Sequence, residues 1–165
     1  MKRFRLLLPL IVILALFGAV AVQATPGNQT IVEIALAVNA DTGEFSTLIA
    51  ALQAAGLVDT FNGRGQYTVF APTDAAFAKL GLDASNIGTL DKATLTNILQ
   101  YHVTTGNRAA NSIVNARQLR MLNRQFTTVT VNSEGAFINS SKLIATDISA
   151  SNGYIHVIDT VLLPQ

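Results

Sequence analysis

Residues 68–77 read TVFAPTDAAF, and this stretch decides the fold because it joins a strand to a helix. The β-branched and aromatic residues at positions 67–71 favour a buried strand. Pro72 closes that strand, because proline cannot donate a hydrogen bond to a sheet ladder. Thr73 and Asp74 then supply the oxygen acceptors that cap the first turn of a helix.

The large apolar side chains on both sides of that proline are candidates for the core. Val69 and Phe70 lie in the strand, and Phe77 and Leu80 follow in the helix, which we expect to bury both of them. A strand and a helix joined this closely pack their apolar sides into one interior. The stretch therefore predicts a domain in which helices cover a sheet.

Two helices are predicted before residues 68–77. Thr30 and Glu33 form a capping-box pair, which marks the start of the first helix, and residues 41–43 (Asp-Thr-Gly) end it. A second helix runs from about Ser46 until Gly56 stops it. The apolar residues of the first helix recur on one face, as in an amphipathic helix: Ile31, Ile34, Ala35 and Val38.

The region from Leu90 to Val103 has the clearest helical pattern after the N-terminus. Three apolar residues and one histidine recur at helical spacing: Leu95, Ile98, Leu99 and His102. This spacing places the His102 imidazole on the buried face, with Tyr101 beside it. A buried imidazole needs a polar partner, for which Asp74 or a backbone carbonyl is expected.

The second half of the chain has β-type character. Residues 126–131 (FTTVTV) and 136–138 (AFI) are separated by Asn-Ser-Glu-Gly, which is typical of a hairpin. Residues 142–145 favour a further strand and residues 154–163 a terminal one. The terminal strand is expected to turn Ile155, Val157, Val161 and Leu163 inward. Because helices precede strands, we expect an α+β fold rather than a doubly wound parallel sheet.

The composition separates an apolar N-terminus from an ordinary domain. Of the 165 residues, 50% are hydrophobic and 13% are charged, but 18 of the first 24 are hydrophobic. The net charge of +1 comes from Lys2, Arg3 and Arg5, since residues 25–165 carry 8 basic and 10 acidic residues. Such a domain lacks the basic excess of a nucleic-acid-binding protein, so no nucleic-acid partner is expected.

Residues 1–24 have the three zones of a secretory signal peptide: a basic start, an apolar run and small residues before a cleavage site. The apolar run from Leu6 to Val22 has 17 residues, fewer than the roughly 20 of a membrane-spanning helix. We therefore expect cleavage after Ala24, with a retained anchor as the alternative. After the signal peptide we expect a linker over residues 25–29 and one folded domain over residues 30–165.

Motifs of catalysis and cofactor binding are not found in the sequence. It has no HExxH, P-loop or GxSxG pattern, and the absence of cysteine excludes disulfides and thiolate zinc sites. Residues 83–94 match a calcium loop at three positions but lack its acidic twelfth residue. The two histidines, His102 and His156, lie among apolar neighbours. We expect no catalytic residue, no metal and no cofactor, and a protein that is not an enzyme.

Arg117, Arg120 and Arg124 are spaced three and four residues apart, so a helix would align them on one face. Two interpretations stay open. The arginines form a solvated face, or they contact acidic polysaccharide or anionic headgroups, since arginine binds carboxylate and phosphate bidentately. Asn28 and Asn139 begin formal glycosylation sequons, which matter if the host glycosylates secreted asparagines.

Three segments together resemble the fasciclin-type domain family. Residues 68–77 (TVFAPTDAAF) look like its first signature, residues 101–103 (YHV) like its tyrosine–histidine motif, and residues 152–164 (NGYIHVIDTVLLP) like its closing signature. Their order and spacing also match, and the resemblance covers about residues 28–165. One departure is Asn123-Arg124, where relatives usually have a glycine after a leucine.

The resemblance implies a compact domain in which helices pack beside a small β-sandwich or wedge of strands. It also implies a secreted or surface-displayed module without catalysis. In the family, the tyrosine–histidine region and an Asp-Ile pair have been proposed as integrin contacts, and the matching residues are Tyr101, His102, Asp147 and Ile148. Helical spacing turns His102 inward, whereas Asp147 and Ile148 lie in a more polar stretch that a partner can reach.

Two functions are expected. The first is a non-enzymatic module for cell adhesion or for extracellular-matrix or biofilm contacts, with a cell-surface or matrix protein or polysaccharide as partner. The alternative is a carrier of a hydrophobic small molecule such as a lipid or pigment, which needs a sizeable apolar cavity. In either case we expect a secreted or cell-surface protein, periplasmic in a Gram-negative host.

Overall fold

A computed structural model of the chain describes residues 28–165. The predicted signal peptide, residues 1–24, and the first part of the predicted linker, residues 25–27, lie outside the described residues. Within the described part, no helix combines the length and the apolar character needed to cross a membrane.

Helices fill the first half of the described chain and strands the second, which confirms the predicted α+β class. The helices are α1 (Ile31–Thr42), α2 (Ser46–Ala55), α3 (Val58–Asn62), α4 (Asp74–Ala78), α5 (Lys92–Tyr101) and α6 (Ala110–Val114), with a short 3₁₀ turn at Ile87–Thr89. The strands are β1 (Tyr67–Pro72), β2 (Val103–Thr105), β3 (Gln118–Arg120), β4 (Phe126–Asn132), β5 (Gly135–Ile138), β6 (Ser141–Ala150) and β7 (Gly153–Ile158).

The strands form one curled sheet in the order β2-β1-β7-β6-β5-β4-β3. Strands β1 and β7 run parallel, and the other neighbours are antiparallel. The two ends of the sheet meet, because Thr104 in β2 pairs with Met121 just after β3. The Thr104 hydroxyl also donates to the carbonyl of Arg120 at 2.8 Å. The sheet is therefore a barrel-like wedge with helices packed beside it.

Strand β1 separates two apolar cores. Val69 and Ala71 face one core, which also holds Phe77 and the inward residues of α1 and α2; we call it the helix-side core. Phe70 points to the other side of the strand, into a second core inside the curled sheet, which we call the sheet core. Val69, Phe70 and Phe77 are all buried, which confirms these predicted core positions.

The start of α1 has the predicted capping box. The Thr30 hydroxyl accepts the N–H of Glu33 at 3.3 Å, and the Glu33 carboxylate accepts the N–H of Thr30 at 2.8 Å. The helix ends at Gly43, whose φ of 79° lies in the left-handed region that glycine adopts without strain. The four residues predicted to face inward are buried: Ile31, Ile34, Ala35 and Val38.

Asp74 caps a different helix from the one predicted. Thr73 caps α4, because its hydroxyl accepts the N–H of Ala76 at 3.1 Å. The Asp74 carboxylate instead accepts the backbone N–H groups of Ser46 at 3.1 Å and Thr47 at 2.8 Å, at the start of α2. Burial raises the pKa of Asp74, but these hydrogen bonds outweigh it and lower the pKa below its usual value. The corner after β1 is thereby tied to α2.

Two predicted core positions are wrong. Leu80 is 43% exposed, because α4 ends before it and the chain turns away. Strand β7 ends at Ile158 rather than continuing to Leu163, so the strand alternation stops there. As a result Leu162 is buried and Leu163 is 49% exposed.

Arg117, Arg120 and Arg124 do not lie on a helix, so the alignment that a helix would give them does not occur. Arg117 precedes β3, Arg120 ends it, and Arg124 lies in the turn to β4. Leu119 of β3 pairs with Thr127 of β4, and both side chains are buried. This pairing outweighs the helical spacing of the arginines. Arg124 has a φ of 70°, so the position where relatives usually have glycine needs a left-handed backbone here.

Candidate functional site

The tyrosine of the tyrosine–histidine pair lies inside the molecule. Tyr101 is 2% exposed at the end of α5. Its hydroxyl donates to the carbonyl of Phe126 at 3.1 Å and accepts from the Asn139 side-chain amide at 3.1 Å. Tyr101 therefore links α5 to the sheet, and this burial does not offer the side chain to a partner.

His102 is equally buried and is bonded at both ring nitrogens. Its Nε2 accepts the N–H of Leu162 at 2.8 Å, so Nδ1 carries the proton and donates to the carbonyl of Ile98 at 2.8 Å. Burial lowers the pKa of His102 to about 4, although the Ile98 carbonyl raises it in part. The backbone carbonyl is thus confirmed as the partner, and Asp74 is not. The neutral ring ties the segment after β7 to α5.

Asn139, the first residue of one sequon, is committed to the fold. Its Oδ1 accepts the N–H of Thr128 at 2.9 Å, and its Nδ2 donates to the Tyr101 hydroxyl at 3.1 Å. A glycan on Nδ2 would leave that nitrogen one N–H, so modification and the bond to Tyr101 would compete for its two hydrogens. Asn28, in the other sequon, is exposed.

Asp147 and Ile148 form a bend in β6, which we call the β6 bend. The pairing of β6 with β7 shifts between Ala145 and Ile148, and Asp147 has a φ of 62°, which aspartate tolerates better than most residues. The Asp147 carboxylate accepts the N–H of Ala110, the first residue of α6, at 2.7 Å. Asp147 is exposed and Ile148 is half-buried.

His156 holds the β6 bend from inside the sheet. Its Nδ1 accepts the N–H of Asp147 at 3.2 Å, so Nε2 carries the proton and donates to the carbonyl of Arg108 at 2.8 Å. The ring is buried and stacks on Phe70 with centroids 5.8 Å apart. Burial lowers the pKa of His156, while the Arg108 carbonyl and the Asp147 charge raise it in part.

His156 is buried, as its apolar neighbours in the sequence indicate, but no motif predicts its bond to the β6 bend. The one local signal was an aspartate inside a β-type run, because aspartate disfavours regular strands and tolerates a positive φ.

An apolar groove lies beside the β6 bend, between the end of α1 and strands β6 and β7. Its volume is about 160 Å³, and its lining residues are Val38, Thr42, Glu44, Phe45, Thr73, Ala145, Ile148 and Val157. Ile148 therefore belongs to both the bend and the groove. The Asp147 carboxylate does not line the groove but faces the start of α6. The bend can therefore offer a partner an apolar contact at Ile148 and an acceptor for a basic group at Asp147.

The interior has little room for a ligand. Two internal apolar cavities near His102 measure about 30 and about 20 Å³, whereas small-molecule sites usually reach about 300 Å³ or more. A depression of about 510 Å³ opens to solvent beside α5, lined by Ala93, Thr94, Asn97, Ile98, Leu163 and Pro164.

Residues 28–165 contain no group of three or more His, Asp or Glu side chains placed to hold a metal ion. Both ring nitrogens of His102 and of His156 already bond to backbone groups. These imidazoles can bind a metal only by breaking bonds that hold the fold.

Comparison with known proteins identifies relatives of the chain. A model of the Fasciclin domain matches residues 43–164. Protein sll1483 of Synechocystis is 41% identical over 149 residues, which cover 89% of this chain and 80% of that protein. The cell surface glycolipoprotein MPB83 of Mycobacterium bovis is 37% identical over 124 residues, which cover 72% of this chain and 55% of that protein. The matched residues span between 20% and 96% of the length of such relatives.

A solved structure supports the fold. It is described as a FAS1 domain pair from the insect cell adhesion molecule Fasciclin I, and the match has a TM-score of 0.65 at 18% identity. The match covers 84% of this chain and 52% of that one. The likeness is one of fold alone at this identity.

Proposed function

This chain belongs to the Fasciclin domain family, and from that membership we propose that it is a non-enzymatic interaction module. It contacts a cell-surface or matrix protein in cell adhesion, in an extracellular matrix or in a biofilm. One relative is named a cell surface glycolipoprotein and the structural neighbour comes from a cell adhesion molecule, which supports this role. The single observation that carries the proposal is the exposed and rigidly held β6 bend.

The β6 bend suits a contact because its geometry is set before a partner arrives. The backbone of Asp147 is bonded to His156 and its carboxylate to Ala110. Binding by a preorganised loop loses less conformational entropy than binding by a mobile one. Each carboxylate oxygen has two acceptor positions, so Asp147 can accept a bond from a partner while it caps α6.

We also propose that residues 1–24 direct export and are removed after Ala24. The protein is then secreted or displayed at the cell surface, or periplasmic in a Gram-negative host. N-terminal sequencing of the exported protein tests this proposal: we expect a chain that starts at Thr25, and a chain that starts at Met1 would contradict it.

The carrier hypothesis has weaker support. Two cavities in the described core measure about 30 and about 20 Å³, room for roughly one or two water molecules each. A hydrophobic ligand would have to open the helix-side core or lie in the solvent-open depression beside α5, whereas an adhesion module needs only the surface as it stands.

The variant Asp147→Asn tests the contact. Asparagine keeps the acceptor for the Ala110 N–H and tolerates the positive φ, so this change removes the charge and preserves the fold. Asp41→Asn is the matched control, because Asp41 is an exposed carboxylate at the other end of the groove region in α1. The measurement is binding of labelled protein to intact cells of the source organism.

We expect Asp147→Asn to bind these cells about tenfold more weakly than wild type, which corresponds to about 1.4 kcal/mol for one charge contact at the surface. The control Asp41→Asn should bind like wild type. Equal binding by the two variants would refute the β6 bend as the contact.

A further inference from the structure

The outward side of strands β3 to β6 is a surface that the proposed function does not use. Side chains alternate along a strand, and the inward ones here pack in the sheet core: Leu119, Thr127, Val129, Ile138 and Leu143. The residues at the alternate positions point outward. We call this set the outer face, and it consists of Arg120, Phe126, Thr128, Thr130, Phe137 and Lys142.

Two cross-strand pairs on the outer face combine an aromatic ring with a cation. Arg120 lies opposite Phe126, and Lys142 lies opposite Phe137. Phe126 is 57% exposed, Arg120 is exposed, and Phe137 and Lys142 are half-buried. Side chains directly opposite each other start about 4.5–5.5 Å apart, so the aromatic and the basic side chain of each pair leave the sheet from neighbouring positions.

The side chain of Lys142 extends across β5 on the outer face. Its Cε lies 3.3 Å from the position that a Cβ would take at Gly135. Gly135 lies two residues before Phe137 in β5, at a position on the same side of the strand. The ammonium group is therefore carried over the outer face and away from the sheet core.

Hydroxyl groups occupy the space between the two ring–cation pairs. Thr130 lies opposite Phe137, and Thr128 lies between Thr130 and Phe126 along β4. Both threonines are exposed, and each hydroxyl can donate and accept a hydrogen bond. The outer face thus mixes exposed rings, hydroxyls and cations rather than forming a continuous apolar surface.

The charges of the chain are divided between its two halves. Residues 28–107 carry three basic and seven acidic residues, whereas residues 108–165 carry five basic and three acidic ones. Two of those three carboxylates accept backbone N–H groups: Asp147 from Ala110 at 2.7 Å and Asp159 from Lys142 at 2.9 Å. The third, Glu134, lies at the tip of the β4–β5 hairpin. The strand half is the side that attracts a polyanion.

We propose that the outer face binds an acidic polysaccharide, a polymer whose sugar units carry carboxylate groups. A sugar ring has an apolar C–H side that packs on an aromatic ring. Guanidinium binds carboxylate bidentately, ammonium binds it as a point charge, and threonine hydroxyls bond sugar hydroxyls. The ring–cation pair occurs twice on one face, as the sugar unit repeats along a polymer.

Binding to immobilised alginate, a polymer of uronic acids, tests this proposal in the full exported chain. The variant Arg120→Gln/Lys142→Gln removes both cations of the outer face. The matched control Arg64→Gln/Lys92→Gln removes two exposed cations from the helical half. We expect the first variant to bind at least about tenfold more weakly in low salt, while the control stays within about twofold of wild type.

Phe126→Thr separates ring packing from charge. It should weaken alginate binding several-fold without reducing its salt dependence, because the cations remain. Its melting temperature should stay near that of wild type, since the ring is exposed. Neutral dextran should not bind.

Equal losses in the two double variants, binding to dextran as strong as to alginate, or no alginate binding by wild type would each overturn the proposal. Asp147→Asn should keep full alginate binding. Loss of alginate binding in that variant would also overturn the assignment to the outer face, whereas loss of cell binding alone leaves both proposals intact.

Discussion

Tyr101-His102 and the β6 bend differ in where their polar atoms find partners. The Tyr101 hydroxyl and both His102 nitrogens bond to groups of the fold, and both side chains are 2% exposed. In the β6 bend, the backbone of Asp147 is held by His156, but its carboxylate reaches the surface and Ile148 borders a groove. One segment stabilises the domain, and the other presents a surface.

A motif can be characteristic of a family because it stabilises the fold or because it contacts a partner, and these two segments illustrate the two cases. Tyr101 and His102 lie where α5, the sheet and the segment after β7 meet, so they stabilise this domain whatever partner it binds. The β6 bend has a fixed backbone, but the Asp147 side chain is exposed, so its chemistry can vary with the partner. Variants that unfold the chain and variants that abolish binding should therefore fall in different segments.

The largest loss of stability is expected when a fully buried core side chain is truncated. Phe70 is 0% exposed and stacks on His156, so Phe70→Ala should lower the free energy of unfolding by about 3–5 kcal/mol. Phe77→Ala, in the helix-side core, should fall in the same range. Phe126→Ala is the control, because its ring is 57% exposed, and it should cost less than about 1 kcal/mol. Urea titration measures all three, and a loss below about 1 kcal/mol for Phe70→Ala would contradict the assignment of the core.

Acid should destabilise the domain through its histidines. The pKa of His102 falls from 6.5 in the unfolded chain to about 4 in the fold. Between these values the unfolded chain binds a proton that the folded chain does not, so stability is full above pH 6.5 and decreases towards pH 4. The decrease is up to about 3 kcal/mol, and His156 acts in the same direction. Denaturant titrations across this range should show a shallower decrease in His102→Ala, and a stability that rises on acidification would refute the neutral buried rings.

His102→Ala should cost about 1–3 kcal/mol at pH 7, because it leaves the N–H of Leu162 and the carbonyl of Ile98 without their partner. Thermal melting and cell binding measured on the same sample separate stability from contact. Lower stability with normal binding of the folded fraction is expected. An unchanged melting temperature with lost binding would show that His102 is a contact after all.

Signals between near neighbours in the chain predicted much of this structure. The capping box joins Thr30 and Glu33, and the strand before Pro72 and the hairpin at residues 132–135 depend on adjacent residues. The helical spacing that turned His102 inward acts within two turns of α5. In each case the residues that decide the conformation also touch each other.

Contacts between residues far apart in the chain determine the features that the sequence did not predict. Asp74 caps α2 across 27 residues, and His102 binds Leu162 across 60 residues. The arginines near β3 have helical spacing, but the burial of Leu119 against β4 imposes a strand. The partners of Asp74 and His102 and the strand at Leu119 cannot be inferred from spacing along the chain, because tertiary packing selects them.

The most direct measurement compares Tyr101→Phe with Asp147→Asn in melting and cell binding, at a temperature where both variants are fully folded. Tyr101→Phe removes one buried hydroxyl and should cost about 1 kcal/mol while its binding stays that of wild type. Asp147→Asn should melt like wild type and lose most of its binding. Weakened binding in Tyr101→Phe together with full binding in Asp147→Asn would contradict the division between a structural segment and a contact segment.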